Sequence, residues 1–400
     1  MSIAFDGKTL CTVQELDITG KSIFFRVDLN APMKDGKVVD DTRINAILPT
    51  LEYLMEKKAK VTLASHLGRP EGKRNEKYSL LPVAERLAQL TGKEILFPDD
   101  CIGDGVKKLY QEQNVHQIIL LENLRYHADE EANDVEFAEK LKANHDFYVS
   151  DAFGALHRAH ASTFALPSLF DHRAIGLLIQ KELEFLQPLV KTPQRPYSVI
   201  LGGAKISDKL KVVDSLIRKV DRLFIGGAMV FTFLKAKGFE IGNSLFEEKM
   251  LHRAKRILEE AEERNVSIYL PKDFVIAKSM KDFSEIKTTD SMKIPSGWTG
   301  LDIGPKTVAH FSEFLNGSKT IFWNGPMGWF EQTPFDKGTF DLATNISRMD
   351  GIKIIGGGDS ASAVTQAGLA DKMNHISTGG GATLEFLEDP ILPGLKALLS

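Results

Sequence analysis

The sequence predicts an α/β protein made of two doubly wound parallel-sheet domains joined by a hinge helix. Three observations predict it. Apolar, strand-like runs alternate with stretches of helical periodicity along the whole chain, the pattern that builds a parallel sheet covered on both faces. The length of 400 residues exceeds what one hydrophobic core usually serves. Near the middle, an amphipathic segment at 177–189 runs into Thr192-Pro193-Gln194-Arg195-Pro196, where paired prolines stop a helix and stiffen a linker. The expected division is a first domain at 1–176, a hinge helix and linker at 177–196, a second domain at 197–389, and a C-terminal segment at 390–400. That last segment is apolar enough to dock and is expected to return to the first domain.

In the first half the strands are expected at 21–29, 60–64, 117–121 and 147–150. In the second they are expected at 198–201, 223–225, 267–270, 320–323, 353–355 and 375–377. Helical pattern fills the gaps. The stretch 246–265 repeats Phe246, Met250, Leu251, Ala254, Ile257, Leu258 and Ala261, one apolar stripe on a 3.6-residue period. Most such residues belong to the core and carry no chemistry.

Composition narrows the class. Hydrophobic residues make up 43% of the chain, its mean hydropathy is -0.14, and no apolar run approaches a membrane span, so no membrane partner is expected. The N-terminal MSIAFDGKTL lacks the basic-then-apolar order of a secretory signal, and a cytoplasmic protein is expected. Lys plus Arg number 50 against 54 Asp plus Glu, a net charge of -4, which argues against nucleic acid as a partner. Cys11 and Cys101 have a spacing that suggests neither a disulfide framework nor a metal site.

The second half repeats a cassette of apolar strand, glycines, small residue and helix. It occurs at Leu201-Gly202-Gly203-Ala204, Ile225-Gly226-Gly227-Ala228, Ile355-Gly356-Gly357-Gly358 and Thr378-Gly379-Gly380-Gly381-Ala382. Glycine after a strand lets the backbone turn and approach a ligand, while the next helix offers free N–H groups and a positive dipole end. Four such turns point to a nucleotide or another phosphate ester, in Rossmann-like domains. Asp359 and Ser360 open a helix in the third cassette; either is a helix N-cap, or Asp359 lies beside a magnesium ion on nucleotide phosphates. Gly356, Gly358 and Ala361 also match the dinucleotide fingerprint, but the acidic partner expected near 377–379 is absent. No Walker A sequence is present.

The first half places anion-seeking side chains after its strands. Asp28 and Asn30 follow the first, His66 and Arg69 the second, Arg125 the third, and His157, Arg158 and His160 the fourth, with Arg43 nearby. In an open parallel sheet, residues beyond the carboxyl ends of the strands converge on one crevice. Guanidinium forks fit carboxylate and phosphate oxygens, so a small molecule bearing both, or several of one, is the expected ligand. For the histidines, hydrogen bonding or a structural role is expected rather than metal ligation.

RVDLNAP, SHLGRP, LLENLRYH, DAFGALHRAH, LGGAKISDK, GGAMVFTFL, GLDIGP, WNGPMGWFE, GGGDS and STGGGA, in this order across nearly the whole chain, resemble the phosphoglycerate kinase family. The resemblance implies a two-domain monomer that reversibly transfers a phosphoryl group between 1,3-bisphosphoglycerate and ADP, giving 3-phosphoglycerate and MgATP in glycolysis. By motif position it implies a glycerate site of Asp28, Asn30, Arg43, His66, Arg69, Arg125 and Arg158 in the first domain. On the nucleotide side it implies Gly202, Gly203, Lys205, Lys209, Gly226, Gly300, Leu301, Asn324, Glu331, Gly357, Gly358, Asp359 and Ser360. Within these, Lys205 and Lys209 match phosphate contacts, Glu331 the ribose contact and Asp359 the magnesium-linked carboxylate; Arg43, Lys205, Gly358 and Gly381 form the implied catalytic set. Two departures are mild, a serine at 360 where threonine also occurs and Ala228-Met229-Val230 in the adenine-side segment. The rival classes are an NAD-dependent oxidoreductase, resting on the fingerprint at 356–361, and a noncatalytic nucleotide or anion-binding module.

Overall fold

Strands with both faces buried read as near-continuous apolar runs, and such runs build two parallel sheets in this chain. The computed structural model describes residues 3–399. It divides into two compact units, one running to Glu184 and taking in the chain again from Ile391, the other spanning Phe185–Pro390.

The sheet of the first unit has the order Arg173–Ile175, Phe147–Ser150, Ser22–Arg26, Lys60–Ala64, Gln117–Leu120, Glu94–Leu96, all pairs parallel. Alternation sorts its side chains by face. Ile23, Phe25, Val61, Leu63, Ile118 and Leu120 pack against Ile44, Ile47, Leu51 and Leu54 of the helix Thr42–Glu56 and Val83 and Leu87 of the helix Leu81–Thr91. On the opposite face Phe24 stacks on Tyr148 with ring centroids 6.0 Å apart. The expected strand 21–29 ends early, at Arg26. Beyond it, side chains take over the backbone's hydrogen bonds: Ser65 Oγ accepts the Leu29 N–H at 2.8 Å and Asp28 Oδ1 accepts that of Asn30 at 3.1 Å, so the segment carrying the site is a loop. The two edge strands, three residues each, are too short to show a period.

In the second unit the order is Ser267–Tyr269, Arg222–Ile225, Tyr197–Leu201, Thr320–Asn324, Ile352–Gly356, His375–Ile376. Numbered along this sheet, that is 3-2-1-4-5-6, the doubly wound arrangement whose direction reverses between Tyr197–Leu201 and Thr320–Asn324. An antiparallel sheet of Asp282–Thr288, Phe274–Ser279 and Thr299–Ile303 is inserted before the fourth strand, an element the sequence pattern does not announce. The expected helix 246–265 is Leu251–Glu263, preceded by a 3-10 turn at Glu248–Met250. It starts late because Glu247 is engaged elsewhere: its N–H donates to Thr232 Oγ1 at 3.1 Å and its carboxylate accepts the Ser207 N–H at 3.0 Å.

A helix spans Leu177–Lys191, ending two residues before Pro193. Its N-terminus is held within the first unit, where Thr50 Oγ1 accepts the Leu177 N–H at 2.9 Å and Asp151 Oδ1 accepts that of Ile179 at 3.1 Å. The helix Pro393–Leu398 packs in the same unit, with Leu395 and Leu398 buried and the Gly394 N–H donating to the Leu156 carbonyl at 2.9 Å. Among the described residues, no helix is long and apolar enough to cross a membrane.

Candidate functional site

In the first unit the strand ends assemble a cluster of charge. Asp28, buried, forms an ion pair with the half-buried Arg43, which comes from the first turn of the helix Thr42–Glu56. Asn30 Oδ1 accepts the Gly68 N–H at 2.8 Å, and the Gly68 carbonyl accepts from Arg125 at 3.0 Å, tying the three loops together. Arg125 Nε also lies 3.4 Å from Glu131. Gly68 has φ +62° and a Cβ there would overlap the Tyr78 ring, so only glycine fits this junction. His66 Nδ1 is 3.3 Å from the buried Arg26, whose Nε donates to Ser162 Oγ at 2.8 Å. Ser162 in turn donates to the fully buried Glu130 at 2.6 Å.

Burial above all, and then Arg125, Arg26 and Arg43, hold His66 well below the usual histidine range against the pull of Asp28. His160 is pushed down to about 4 by burial and by Arg125, Arg26 and Arg158. The imidazoles are therefore neutral near pH 7, and the cluster joins guanidinium groups to neutral hydrogen-bonding partners. Arg158 donates to His157 Nε2 at 3.1 Å. The structure thus brings Asp28, Asn30, Arg43, His66, Arg125 and Arg158 into one neighbourhood, while Arg69 stands exposed beside it. Arg26, Glu130 and Ser162, linked to one another beside His66, were not singled out by sequence; an arginine inside an apolar strand run was the available signal.

The second unit has a cavity of about 230 Å³ beyond the carboxyl ends of its strands, lined by the expected Gly203, Gly300, Leu301, Glu331 and Asp359. Phe231, Leu245, Phe274, Met280 and Trp329 supply its apolar wall. Of these, Phe274 and Met280 come from the inserted antiparallel sheet and its turn, and were missed with it. Glycine is needed here for close packing between loops. A Cβ on Gly202 would overlap the Pro326 carbonyl, and one on Gly227, at φ +62°, would overlap Gly203 N and O. The N–H groups of Gly202, Gly203 and Gly226 donate to the carbonyls of Asn324, Pro326 and Leu201 at 2.9, 3.0 and 2.9 Å. These three amides are engaged within the protein.

The third and fourth cassettes differ. Gly357 and Gly380, both with positive φ, are the N-caps of the helices Gly358–Gln366 and Gly381–Glu388, and open space surrounds a Cβ built on Gly358 or Gly381. The first-turn N–H groups of Gly358, Asp359 and Ser360 find no acceptor among the described residues, which leaves an anion-accepting helix end beside the cavity. The Ser360 hydroxyl is buried and accepts the Gly325 N–H at 2.5 Å, so it fixes the neighbouring loop. Asn324 donates to the Gly356 carbonyl at 2.8 Å and accepts from Lys209, whose Nζ also lies 3.1 Å from the Asn324 carbonyl. Burial lowers Lys209 to about 8, opposed by Asp359 and Asp208. Lys205 is exposed, in a loop anchored at Ser207 by Glu247. Asp359 is exposed, lines the cavity and has no ion pair among the described residues; an exposed carboxylate at a phosphate-accepting helix end suits a hard, oxygen-seeking cation such as Mg2+.

The profile of one family, phosphoglycerate kinase, matches residues 13–390. A phosphoglycerate kinase of Anaeromyxobacter dehalogenans is 50% identical over 391 residues, 97% of this chain and 99% of the relative. One from Microcystis aeruginosa is 48% identical over 98% of each. Among solved structures, phosphoglycerate kinase from Coxiella burnetii superposes with a TM-score of 0.85 at 36% identity, covering 97% of this chain and 98% of its own. The enzyme from Pyrococcus horikoshii OT3 does so with a TM-score of 0.85 at 33% identity.

Proposed function

The chain belongs to the phosphoglycerate kinase family, and from that premise we propose that it transfers a phosphoryl group between 1,3-bisphosphoglycerate and ADP, reversibly, giving 3-phosphoglycerate and ATP. The acceptor in the reverse direction is a carboxylate, so the enzyme is a phosphotransferase acting on a carboxyl group. The observation that carries the reading is the pairing of two unlike sites: a guanidinium cluster around Asp28, Arg43, His66 and Arg125, and an apolar cavity flanked by an unsatisfied helix end. The first suits a small polyanion and the second a base joined to phosphates.

In this reading Asp28, Asn30, Arg43, His66, Arg69, Arg125 and Arg158 bind the glycerate. Gly300, Leu301 and Glu331 hold the nucleoside, and Lys205, Lys209, Gly357, Gly358, Asp359 and Ser360 lie on its phosphate side, with Gly202, Gly203, Gly226 and Asn324 shaping the loops. The acyl phosphate is already activated, so transfer is direct and in line, and positioning and charge neutralisation suffice without a general base. Arg43 and Lys205 stabilise the charge on the transferring phosphoryl, and the amides at Gly358 and Gly381 support it. Asp359 would hold Mg2+, which neutralises charge on the nucleotide's phosphate oxygens when bound. Direct transfer between ligands on separate units requires closure about the helix Leu177–Lys191, and scattering that shows no compaction with both ligands bound would argue against it. The reading includes a monomer acting in the cytoplasm, which light scattering and cell fractionation test.

The deciding experiment is a coupled assay of 3-phosphoglycerate with MgATP, wild type beside Lys205→Ala. Turnover in the wild type that falls by about 10²-fold in the variant supports the reading. Ligand binding without turnover in the wild type replaces it with a noncatalytic module. The oxidoreductase alternative is not favoured: the strand His375–Ile376 leads into Ser377, whose hydroxyl bonds Thr383 at 2.6 Å, and no carboxylate stands there for a ribose.

A further inference from the structure

Within the first unit, the loop after the edge strand Glu94–Leu96 meets the turn after Leu124–Tyr126, and a carboxylate, a thiol and an imidazole come together there. Asp100 Oδ1 lies 2.7 Å from His127 Nε2. One ligand atom each from Asp100, Cys101 and His127 falls within 4.8 Å of the other two. We propose that these three side chains form a binding site for a thiophilic divalent cation of the zinc class, with solvent as the fourth ligand.

The donor set selects the ion. Carboxylate oxygen, imidazole nitrogen and thiolate sulfur are the three protein ligands of Zn2+, whereas Mg2+ and Ca2+ take oxygen alone and have no use for the sulfur. The ligands are also held in place. The Cys101 N–H donates to Asp100 Oδ1 at 2.6 Å, the His127 N–H donates to the Leu124 carbonyl at 3.2 Å, and the His127 ring rests on Phe137 with centroids 5.1 Å apart. Access is graded. The Asp100 side chain is 48% exposed, that of His127 25%, and Cys101 is buried, so a cation enters past the first two and meets the sulfur at the bottom.

The geometric change is small. With metal–ligand bonds of about 2.1 Å in a tetrahedron, the nitrogen and oxygen stand about 3.4 Å apart, so their present hydrogen bond opens by well under 1 Å. A metal–sulfur bond forms as the S–H proton passes to solvent, the proton shared by Nε2 and Asp100 leaves for Nδ1 by way of water, and no electron changes hands. The site joins positions 27 residues apart in the chain, which is why ligand spacing does not announce it.

The test is a titration of the full chain with Cd2+, read by thiolate-to-metal charge-transfer absorption, and with Zn2+ in competition with a chromophoric chelator. A saturable band is expected in the wild type and in Cys11→Ser, and no band in Cys101→Ser. His127→Gln and Asp100→Asn, whose side chains are partly exposed and whose folds are expected to survive, should each weaken Zn2+ binding at least tenfold and decide the matter if Cys101→Ser does not fold. A wild type without the band, a band that persists in Cys101→Ser or vanishes in Cys11→Ser, or unchanged affinity in His127→Gln would overturn the site.

Discussion

Replacing Asp151 by asparagine should stabilise the protein, and by an amount that grows with pH. Asp151 follows the strand Phe147–Ser150, is fully buried, and accepts the Ile179 N–H at 3.1 Å, while its second oxygen has no hydrogen-bond partner among the described residues. Burial pushes its carboxyl up to about 7 from the ordinary 3.8, against the hydrogen bonds that favour the anion. Its folded value lies above the unfolded one, so its contribution is fully present below about pH 4 and is lost as pH rises through about 7. At about 1.4 kcal/mol per pKa unit, the full shift costs about 4 kcal/mol, of which about 2.5 kcal/mol develops between pH 5 and pH 8. Asparagine keeps the acceptor for Ile179 and carries no charge at any pH. Urea unfolding followed by circular dichroism, wild type against Asp151→Asn, should show the gap widening by roughly that amount over this interval. A gap that is flat or narrows would refute the argument, since it would mean that the helix end at Leu177 stabilises the anion enough to cancel its desolvation.

Arg43→Ala should lower kcat by about 10²-fold or more in the phosphoglycerate assay, because it removes a cation from the transferring group and leaves Asp28 buried without its partner; near-normal kcat sinks that assignment. Lys209 is depressed to about 8 by burial, and nucleotide phosphates raise it, so ADP binding at pH 8.5 should take up protons. Calorimetric titrations in two buffers of different ionisation enthalpy read this directly, and an uptake unchanged in Lys209→Met assigns it elsewhere. Gly227→Ala places a Cβ against Gly203 N and O at φ +62°, and should cost about 1–3 kcal/mol; a wild-type Tm would show that the loops yield without cost.

What the sequence made legible was whatever local pattern encodes. Strands 60–64 and 147–150 were predicted at their observed bounds because buried parallel strands are short apolar runs with sharp ends, and the helix from Leu177 because its stripe is periodic and prolines close it. The antiparallel insertion escaped because Asp282–Thr288 is almost wholly exposed and shows no clean alternation, so the apolar wall given by Phe274 and Met280 escaped too. Arg26 and Glu130 were invisible for a different reason: charged residues read as surface until a partner far along the chain, Ser162, buries them together. The glycine cassettes were legible as turns, but nothing local separates amides engaged by a neighbouring loop, as at Gly202 and Gly226, from the free ones at Gly358.

The return of residues from Ile391 to the first unit bears on the order in which the chain matures during synthesis. Leu395 and Leu398 are buried in the first unit, the Gly394 N–H donates to the Leu156 carbonyl, and Arg173 donates to the Leu399 carbonyl at 2.8 Å. The N-terminal half therefore leaves the ribosome with an apolar patch that stays wet until the segment from Ile391 follows it out. The unit at Phe185–Pro390 is continuous in sequence, and its sheet is whole when Ile376 has cleared the exit tunnel. Translation runs from the first unit to the second, but completion runs the other way.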